Sequence, residues 1–343
     1  MKVGDTHYRS IWTDGHVVRI IDQTTLPGAF ETRTLSNVDE TDTAIRTMAV
    51  RGAPLIGVAG AYGIALAMRT NASDRNLTAA YEKLKASRPT AVNLKWALDR
   101  MRALLAPLPI GQRTEAAWRE AASIADEDVE LNQAIGRHGA ALLRALHQRM
   151  RRRVNVLTHC NAGWLATVDH GTALAGIYQA HDAAISLHVW VDETRPRNQG
   201  LLTAWELRAH GVPHTVIVDS AAGHLMQRGD VDVVLVGADR VTASGDAANK
   251  IGTYQKALAA FDNNVPFYVA VPSPSIDWSI SDGASIPIEQ RADDEVRKIG
   301  GVQVIDAATA VANPAFDITP SRLITGLITE RGVIGPTELG SLR

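Results

Sequence analysis

The C-terminal part of the chain alternates short, unbroken apolar runs with segments of helical periodicity. The run at residues 233–236, VVLV, has no polar alternation, which is typical of a parallel strand covered by helices on both faces. The repeated order of strand, loop and helix predicts right-handed crossovers. The predicted fold class is therefore α/β, with a Rossmann-like, doubly wound parallel sheet. The predicted strands are residues 154–158, 185–191, 214–218, 231–236, 266–271 and 302–305.

The first 150 residues follow a different pattern. Apolar residues at 17–21, preceded by the turn signal Asp14-Gly15, predict a short β hairpin or meander. Helical periodicity begins after Asn37 and continues into the basic run at residues 149–153, which is typical of a solvated helix end. We therefore expect a smaller, mostly helical N-terminal domain at residues 1–150 and a Rossmann-like domain at residues 151–343. The predicted helices span residues 41–50, 77–86, 94–105 and 111–145, with a further helix starting near Pro54.

Polar and small residues follow nearly every predicted strand. Because the carboxyl ends of parallel strands meet at one edge of a sheet, where ligands bind, these residues are expected to converge. Five such groups on one rim predict a binding site. In chain order the groups are HCNAG, DETRPRNQG, DSAAG, GADR and PSPSID.

The strand predicted at residues 231–236 leads into a dense group of polar residues. Asp239 and Arg240 stand at its carboxyl end, and Asn249 and Lys250 are predicted to open the next helix. An amide and a cation at a helix start suit an anionic ligand. The stretch therefore predicts a carboxylic acid facing a phosphorylated small molecule. The alternative is a surface ion pair between Asp239 and Arg240, with Lys250 in solvent.

Three further places could bind an anion. Arg51, Gly52 and Ala53 bring a guanidinium and open backbone amides to a helix start, since the proline that follows wastes no hydrogen bond in the first turn. Arg88 lies on the connection RPTAVNL, where a solvated loop residue is the alternative. Gln199 presents an amide just before the helix predicted at residues 203–210.

Cys160 lies between a strand and a helix start predicted at residues 163–167. A helix N-terminus favours a reactive thiolate, although a lone cysteine is also a common packing residue. As the single cysteine it excludes an intrachain disulfide and a cysteine-cluster metal site. The 11 histidines form no HExxH motif. The loop DETRPRNQG fits an ion-pair network or a substrate loop better than a cation site, because arginines interleave its acids. We expect no metal.

Composition narrows the class of partner. The 343 residues carry 35 basic and 37 acidic side chains, a net charge of -2 that gives nucleic-acid binding no support. No apolar stretch reaches membrane-span length, and no signal peptide is evident, so we expect no membrane partner and a cytoplasmic location. The GxGxxG and phosphate-loop lysine motifs are absent after the first strand of the sheet, so no nicotinamide or nucleotide cofactor is expected.

Ten motifs spread over almost the whole chain resemble, in order, those of the methylthioribose-1-phosphate isomerase family. Its superfamily also includes ribose-1,5-bisphosphate isomerases and regulatory subunits of the translation initiation exchange factor. The motifs are RGAPLIGVAGAYGIAL, RPTAVNL, THCNAG, VDETRPRNQG, TAWEL, DSAAGHLM, VGADRV, NKIGTYQKALAA, PSPSID and NPAFDITP.

The resemblance implies roles for particular residues. Asp239 would be the proton donor and Cys160 the other catalytic residue. It also implies a homodimer, a smaller N-terminal domain beside the Rossmann-like one, and a role in methionine salvage. The residues implied to bind the sugar-phosphate substrate are Arg51, Gly52, Ala53, Arg88, Gln199, Asn249 and Lys250.

The expected reaction converts 5-methylthioribose 1-phosphate, an aldose, to 5-methylthioribulose 1-phosphate, a ketose. Trp164 and a short stretch after Gln199 depart from the family pattern and could reshape the pocket for the 5-substituent. 5-Deoxyribose 1-phosphate and ribose 1,5-bisphosphate are therefore alternative substrates. A non-catalytic regulatory subunit of a translation initiation complex is the alternative of another class, and retention of both Cys160 and Asp239 argues against it.

Overall fold

The computed structural model describes residues 1–343, which divide into two compact units. The N-terminal unit contains residues Met1–Gln133 and Gly163–Gly171, and the C-terminal unit contains Ala134–Ala162 and Thr172–Arg343. The division falls within one long helix. The boundary expected from the sequence, at residue 150, is the last residue of that helix.

The N-terminal unit begins with short antiparallel strands. Gly15 has a positive φ in the turn after Asp14, which is the turn that the sequence predicted. Three of the strands form the sheet β3-β4-β5, so the predicted meander is confirmed. The strands are β1 (Lys2–Val3), β2 (Thr6–His7), β3 (Ile11–Asp14), β4 (Val17–Ile21) and β5 (Thr32–Leu35).

Helices make up most of the N-terminal unit. The side chain of Asn37 accepts a hydrogen bond from the backbone N–H of Glu40, which satisfies a free donor at the start of the first helix. The helices are α1 (Val38–Arg46), α2 (Ala53–Thr70), α3 (Asp74–Lys85), α4 (Val92–Leu105) and α5 (Ile110–Met150). Residues 134–150 of α5 belong to the C-terminal unit.

Helix α2 is long and apolar enough to cross a membrane by composition alone. Its residues 53–68 are all buried within the protein, as in a core helix. Gly57 shows how closely this helix is packed, because a Cβ there would lie 2.8 Å from the backbone oxygen of Asn93. Small residues in α2 therefore serve close packing against α4.

The C-terminal unit alternates strands and helices. Its regular elements are β6 (Val154–Thr158), α6 (Ala173–Asp182), β7 (Leu187–Asp192), α7 (Gly200–His210), β8 (His214–Ile217), α8 (Ala221–Gln227), β9 (Val233–Gly237), β10 (Arg240–Thr242), β11 (Ala247–Lys250), α9 (Thr253–Asp262), β12 (Phe267–Ala270), β13 (Ile276–Asp277), α10 (Asp294–Arg297), β14 (Lys298–Ile299), β15 (Val302–Gln303), β16 (Phe316–Thr319), β17 (Gly326–Thr329) and β18 (Gly332–Ile334).

Seven strands form the central sheet in the order β18-β17-β12-β9-β6-β7-β8. Every neighbouring pair is parallel except β17 with β18. Strand β9 is wholly buried, as its unbroken apolar run predicts. The predicted α/β class and doubly wound parallel sheet are confirmed.

One predicted strand is wrong. Residues 302–305 do not enter the central sheet, since β15 covers only Val302 and Gln303 and pairs with β14 in a separate hairpin. Val302 and Val304 are exposed there, so the apolar run has no core to cover. The strand that does enter the sheet is β17, whose four residues are buried between β12 and β18.

A second sheet lies in the same unit, in the order β13-β10-β11-β16. Strand β10 follows β9 after a two-residue connection, and β11 pairs antiparallel with both β10 and β16. The residues that follow the carboxyl end of β9 therefore lie in a second sheet, beginning with Arg240 in β10.

Candidate active site

The central sheet reverses its direction of growth between β6 and β9. From β6 the chain proceeds outward through β7 and β8, whereas β9, β12 and β17 extend the sheet on the other side. In open α/β sheets, ligands bind outside the carboxyl ends of the strands at this switch point. The fold therefore defines where a site is to be expected.

Cys160 and Asp239 both stand at the switch point. Cys160 comes two residues after the end of β6, and Asp239 comes two residues after the end of β9. In the register of these parallel neighbours, Leu157 pairs with Val234, so the two strands end side by side. The topology thus brings the predicted acid and the predicted thiol to adjacent strand ends.

Close backbone approach shapes this edge. A Cβ at Gly237 would lie 2.9 Å from the Cβ of Ala162 and 3.1 Å from the Thr172 hydroxyl oxygen. Only glycine lets the loop after β6 pack against the end of β9. Within that loop Cys160 has a φ of 66°, a left-handed conformation that is uncommon for a residue with a side chain.

Hydrogen bonds hold the backbone of Cys160 on both sides. Its N–H donates to the Thr194 hydroxyl at 2.8 Å, and its carbonyl accepts from the Thr203 hydroxyl at 2.8 Å. Thr194 lies in the loop after β7, and Thr203 lies in α7. Neighbouring elements therefore fix the unusual conformation of Cys160.

The helix predicted at residues 163–167 is only a single 3-10 turn, Trp164–Ala166, and it belongs to the N-terminal unit. The Ser10 hydroxyl donates to the Trp164 carbonyl, and the Gln23 amide donates to the Leu165 carbonyl. These bonds engage carbonyls that a continuing helix would use. The expected helix start beside Cys160 is therefore wrong, and the next helix is α6.

Asn249 and Lys250 were predicted to open a helix, but they lie in strand β11. Lys250 pairs with Phe316 of β16, so strand partners supply the backbone hydrogen bonds. The strand ends at Lys250, and Gly252, with a φ of 100°, precedes α9, which starts at Thr253. The residues predicted to bind an anion directly follow Ala248, whose carbonyl accepts a hydrogen bond from the Asp239 N–H at 2.9 Å.

Lys250 shares an electrostatic environment with both candidate catalytic residues. Burial lowers the pKa of its ammonium group, and the negative charges of Cys160 and Asp239 act in the opposite direction. Its Nζ atom also lies 5.1 Å from the centre of the Phe316 ring. A buried cation between a thiol and a carboxyl suits the binding of an anionic substrate.

One part of the alternative interpretation is wrong, because Lys250 is buried and does not lie in solvent. Arg240 is partly buried, and its Nη1 atom lies 3.4 Å from the Asp277 carboxylate. Burial lowers the pKa of Arg240, opposed by the charges of Asp277 and Asp239. The strand end is therefore a shielded, charged region.

Gln199 is the residue before α7, where the sequence placed it. A Cβ at Gly200 would overlap the carbonyl oxygen of Asp192, so the start of α7 packs directly on the end of β7. The Gln199 side chain is buried, and its Oε1 atom has no hydrogen-bond partner. An unsatisfied buried acceptor fits a group that awaits a hydroxyl donor from a ligand.

The remaining predicted binding residues belong to the N-terminal unit. Arg51 is buried just before α2, and Gly52 caps that helix with a φ of 94°. Ala53 and Pro54 form its first turn, as predicted. Arg88 lies in the connection between α3 and α4. The helix start thus gathers Arg51, Gly52 and Ala53, while Arg88 stands on a separate loop of the same unit.

Two buried charged residues, His159 and Lys256, carry no clear sequence signal, and both contact Asp192, the first residue of DETRPRNQG. His159 is next to Cys160, yet it resembles a strand-end histidine, and Lys256 occupies an ordinary helical position. His159, Asp192 and Asp219 offer donor atoms within 4.8 Å of one another, a grouping able to hold a cation. However, the Lys256 ammonium lies 3.1 Å from the Asp192 carboxylate and supplies positive charge there.

The chain resembles proteins of a known family over most of its length. The model of the Initiation factor 2 subunit family matches residues 49–336. A methylthioribose-1-phosphate isomerase from Acidiphilium cryptum is 60% identical, over 98% of this chain and 96% of that protein. The corresponding isomerase from Rhodospirillum centenum is 59% identical over 99% and 94%.

Solved structures agree with this relationship. A crystal structure of 5-methylthioribose 1-phosphate isomerase from Pyrococcus horikoshii has a TM-score of 0.87, with 41% identity over 98% of this chain and 97% of that one. A structure described as subunit delta of the translation initiation factor eIF-2B, from A. fulgidus, has a TM-score of 0.82, with 43% identity over 97% of each chain.

Proposed function

The chain belongs to the Initiation factor 2 subunit family, and we propose that it converts 5-methylthioribose 1-phosphate to 5-methylthioribulose 1-phosphate in methionine salvage. It is an aldose-ketose isomerase that acts on a sugar phosphate. The observation that carries the proposal is the meeting of Cys160, Asp239 and a buried Lys250 at one switch point. A binding module has no need for an acid and a thiol at that place.

The first chemical step is ring opening. The phosphate on C1 locks the anomeric carbon, so the sugar cannot open to a free aldehyde. We assign Asp239 as the acid that protonates the ring oxygen, after which the bond from C1 to that oxygen breaks and the oxygen becomes a hydroxyl group. Asp239 is partly buried just beyond the wholly buried strand β9.

The second step moves hydrogen from C2 to C1 while the phosphate stays on C1. In one route the Cys160 thiolate removes the C2 proton to leave an enol, C1 is then protonated, and the C2 hydroxyl loses its proton to give the ketone. In the other route the C2 hydrogen shifts directly to C1 as hydride, and the C2 hydroxyl loses its proton to give the ketone. Deuterium from solvent at C1 of the product identifies the first route. Complete absence of deuterium at C1, in a pocket that is open to solvent, identifies the second.

Substrate binding is assigned to the residues that the resemblance implied. Lys250 and Asn249 from β11, with Gln199 before α7, are the binding residues of the C-terminal unit. In the N-terminal unit, the open backbone amides at the start of α2 and the Arg51 guanidinium suit a phosphate. The complete set proposed to bind substrate is Arg51, Gly52, Ala53, Arg88, Gln199, Asn249 and Lys250.

The function is tested with a panel of sugar phosphates and the purified protein, without added metal or nucleotide. Phosphorus NMR follows 5-methylthioribose 1-phosphate, 5-deoxyribose 1-phosphate and ribose 1,5-bisphosphate. Preferred conversion of the first to its ketose is the expected result. Preference for another substrate keeps the reaction class and refutes the proposed substrate. No conversion of any substrate would favour a regulatory subunit, the function suggested by the name of the A. fulgidus relative.

We further propose that the protein works as a homodimer in the cytoplasm, without nucleic acid or membrane partners. Light scattering during size-exclusion chromatography should give about twice the 36.9 kDa of one chain. A mass of one chain at micromolar concentration would contradict the homodimer.

A further inference from the structure

A cluster of buried charges lies directly behind Cys160. We name His159, Asp192 and Lys256 the histidine cluster. Their side chains are 0%, 0% and 2% exposed. Burial of three ionisable groups is unfavourable unless they neutralise and hydrogen-bond one another. His159 joins this cluster to the proposed catalytic residue Cys160, which directly follows it in the chain.

The partners of His159 define its charge. Its Nε2 atom lies 2.9 Å from the carbonyl oxygen of Ile251, which can only accept, so this nitrogen carries a hydrogen. Its Nδ1 atom lies 3.1 Å from the Asp192 carboxylate. The Lys256 ammonium lies 3.1 Å from the same oxygen and forms an ion pair with that carboxylate. Both ring nitrogens therefore face acceptors, an arrangement that suits a ring with a hydrogen on each nitrogen.

The two hydrogen bonds of His159 lead to the two sides of the candidate site. Asp192 ends β7, and its carbonyl accepts from the Thr194 hydroxyl, which in turn accepts from the Cys160 N–H. Ile251 directly follows Lys250. One histidine ring thus ties the loop that holds the thiol to the strand end that holds the substrate-binding cation.

The position of the ring is closely defined. A Cβ added to Gly252 would lie 3.2 Å from the Cε1 atom of His159 and 3.3 Å from the Nζ atom of Lys256. Gly252 also has a φ of 100°, so other residues are disfavoured there on both counts. The backbone at the start of α9 is therefore shaped around the histidine cluster.

Other charges face the cluster from neighbouring elements. Asp219, after β8, has an oxygen 4.0 Å from the Nδ1 atom of His159. Asp317 of β16 accepts from the N–H groups of Gly252 and Tyr254, and the positive charges of His159 and Lys256 act on it. The ring is thus faced by acids on three strands or strand ends.

We propose that His159 is a positioning residue that, as a buried imidazolium, holds Cys160 in its left-handed conformation and aligns it with Lys250. The proposal rests on the catalytic role proposed above for Cys160. The positive charge of the ring also favours the thiolate form of the neighbouring residue. His159 itself touches no substrate.

Two substitutions separate the two bonds of the ring. His159→Asn places an amide near the position of Nδ1 and retains the bond to Asp192. His159→Gln reaches the position of Nε2 and retains the bond to Ile251. Neither variant can carry the charge. His188→Gln is the matched control, because His188 is a buried histidine of β7 outside the cluster, bonded to the Thr215 hydroxyl.

The first readout needs no substrate. Cys160 is the single cysteine, so the rate of alkylation by iodoacetamide reports on this thiol alone. We expect both His159 variants to react about 10-fold more slowly at pH 7, the effect of about 1.4 kcal/mol on the thiolate. The control should react like the wild type. Wild-type alkylation rates in both His159 variants would overturn the proposal.

The second readout is catalysis. With a positioning role, kcat falls on the order of 10- to 100-fold in both variants, while KM changes by less than about threefold. An increase in KM alone would assign His159 to substrate binding and overturn the proposal. If the wild type converts no sugar phosphate but the alkylation effect is seen, the proposed function fails and the positioning of Cys160 by His159 stands.

A measurement on the wild type covers the case in which the variants do not fold. Nitrogen-15 NMR of labelled histidine should show both ring nitrogens of His159 protonated at pH 7.5. A lone-pair nitrogen signal for this residue would overturn the imidazolium assignment. A change of the His159 signals on adding EDTA would indicate a bound metal ion at His159, Asp192 and Asp219, and would overturn the proposal as well.

Discussion

At the scale of single residues, buried ionisable groups decide the chemistry more than the surface charges do. Lys250 and Asp128 illustrate two outcomes of the same desolvation, which lowers the pKa of a lysine and raises that of an aspartate. Lys250 is placed where an anionic ligand can restore its charge. Asp128 lies in the N-terminal unit and has a structural role.

Asp128 should make the stability of the protein depend on pH. Burial raises its pKa to about 7, and the hydrogen bonds from the Val168 N–H and the Asn132 amide only partly oppose this. The folded state then holds a proton that the unfolded state has lost, so the free energy of unfolding falls as pH rises from about 4 through 7. The full effect is on the order of 4 kcal/mol.

Asp128→Asn should remove this dependence. The free energy of unfolding in urea is measured for the variant and for the wild type. The variant's value minus the wild-type value should increase from pH 5 to pH 8. The Oδ1 atom of Asn132 has no partner and could accept from the new amide once its own side chain rotates. Asp5→Asn, at an exposed site of the same unit, should show the same pH dependence as the wild type. Parallel curves for Asp128→Asn and the wild type would refute the assignment.

The sequence pattern points to the candidate acid and thiol and to the loop that begins at Asp192, but not to His159 or Lys256. Asp239 and Cys160 follow apolar strands directly, so their place at the sheet edge follows from local sequence. The link between His159 and Lys256 joins residues far apart in the chain. No local pattern reports a contact of that kind.

At the scale of elements, the backbone conformation at the N-terminus of α2 depends on a single glycine. Gly52 has a φ of 94°, and a Cβ would overlap the backbone of Ala166 in the same unit. Gly52→Ala should therefore lower the free energy of unfolding by about 2 kcal/mol or more, from backbone strain and displacement. If the amides at this helix start bind phosphate, KM should rise as well.

Gly111→Ala is the control for that substitution. Gly111 lies in α5 with open space around the added Cβ, so alanine should be neutral or stabilise by up to about 1 kcal/mol. Urea unfolding and steady-state kinetics of the two variants provide the comparison. Equal stability of Gly52→Ala and Gly111→Ala would contradict the strain at the start of α2.

Element-level predictions succeeded where local periodicity was strong. The five helices of the first 150 residues and the strands β6 to β9 and β12 lie close to where the pattern placed them. Asn249 and Lys250 were assigned to a helix because the apolar periodicity of α9 follows at once. Pairing of β11 with β10 and β16 overrides that signal, and such pairing is set by distant sequence.

At the scale of the whole molecule, two compact units each have a hydrophobic core of their own. The α/β class followed from the repeated strand-helix pattern, but the antiparallel strand β18 and the second sheet did not. Both use short segments, two to four residues long, whose apolar pattern is too brief to distinguish a strand from a loop.

We propose that Asp239, at the switch point of the sheet, is the acid of a sugar-phosphate isomerase. The most direct test of this proposal is the turnover of 5-methylthioribose 1-phosphate by the wild type, by Asp239→Asn and by the exposed control Asp262→Asn. We expect Asp239→Asn to fold normally and to lose about 10²- to 10⁴-fold in kcat, roughly 3 to 5 kcal/mol, while the control keeps wild-type turnover. Near-normal turnover by a folded Asp239→Asn enzyme would contradict the proposal.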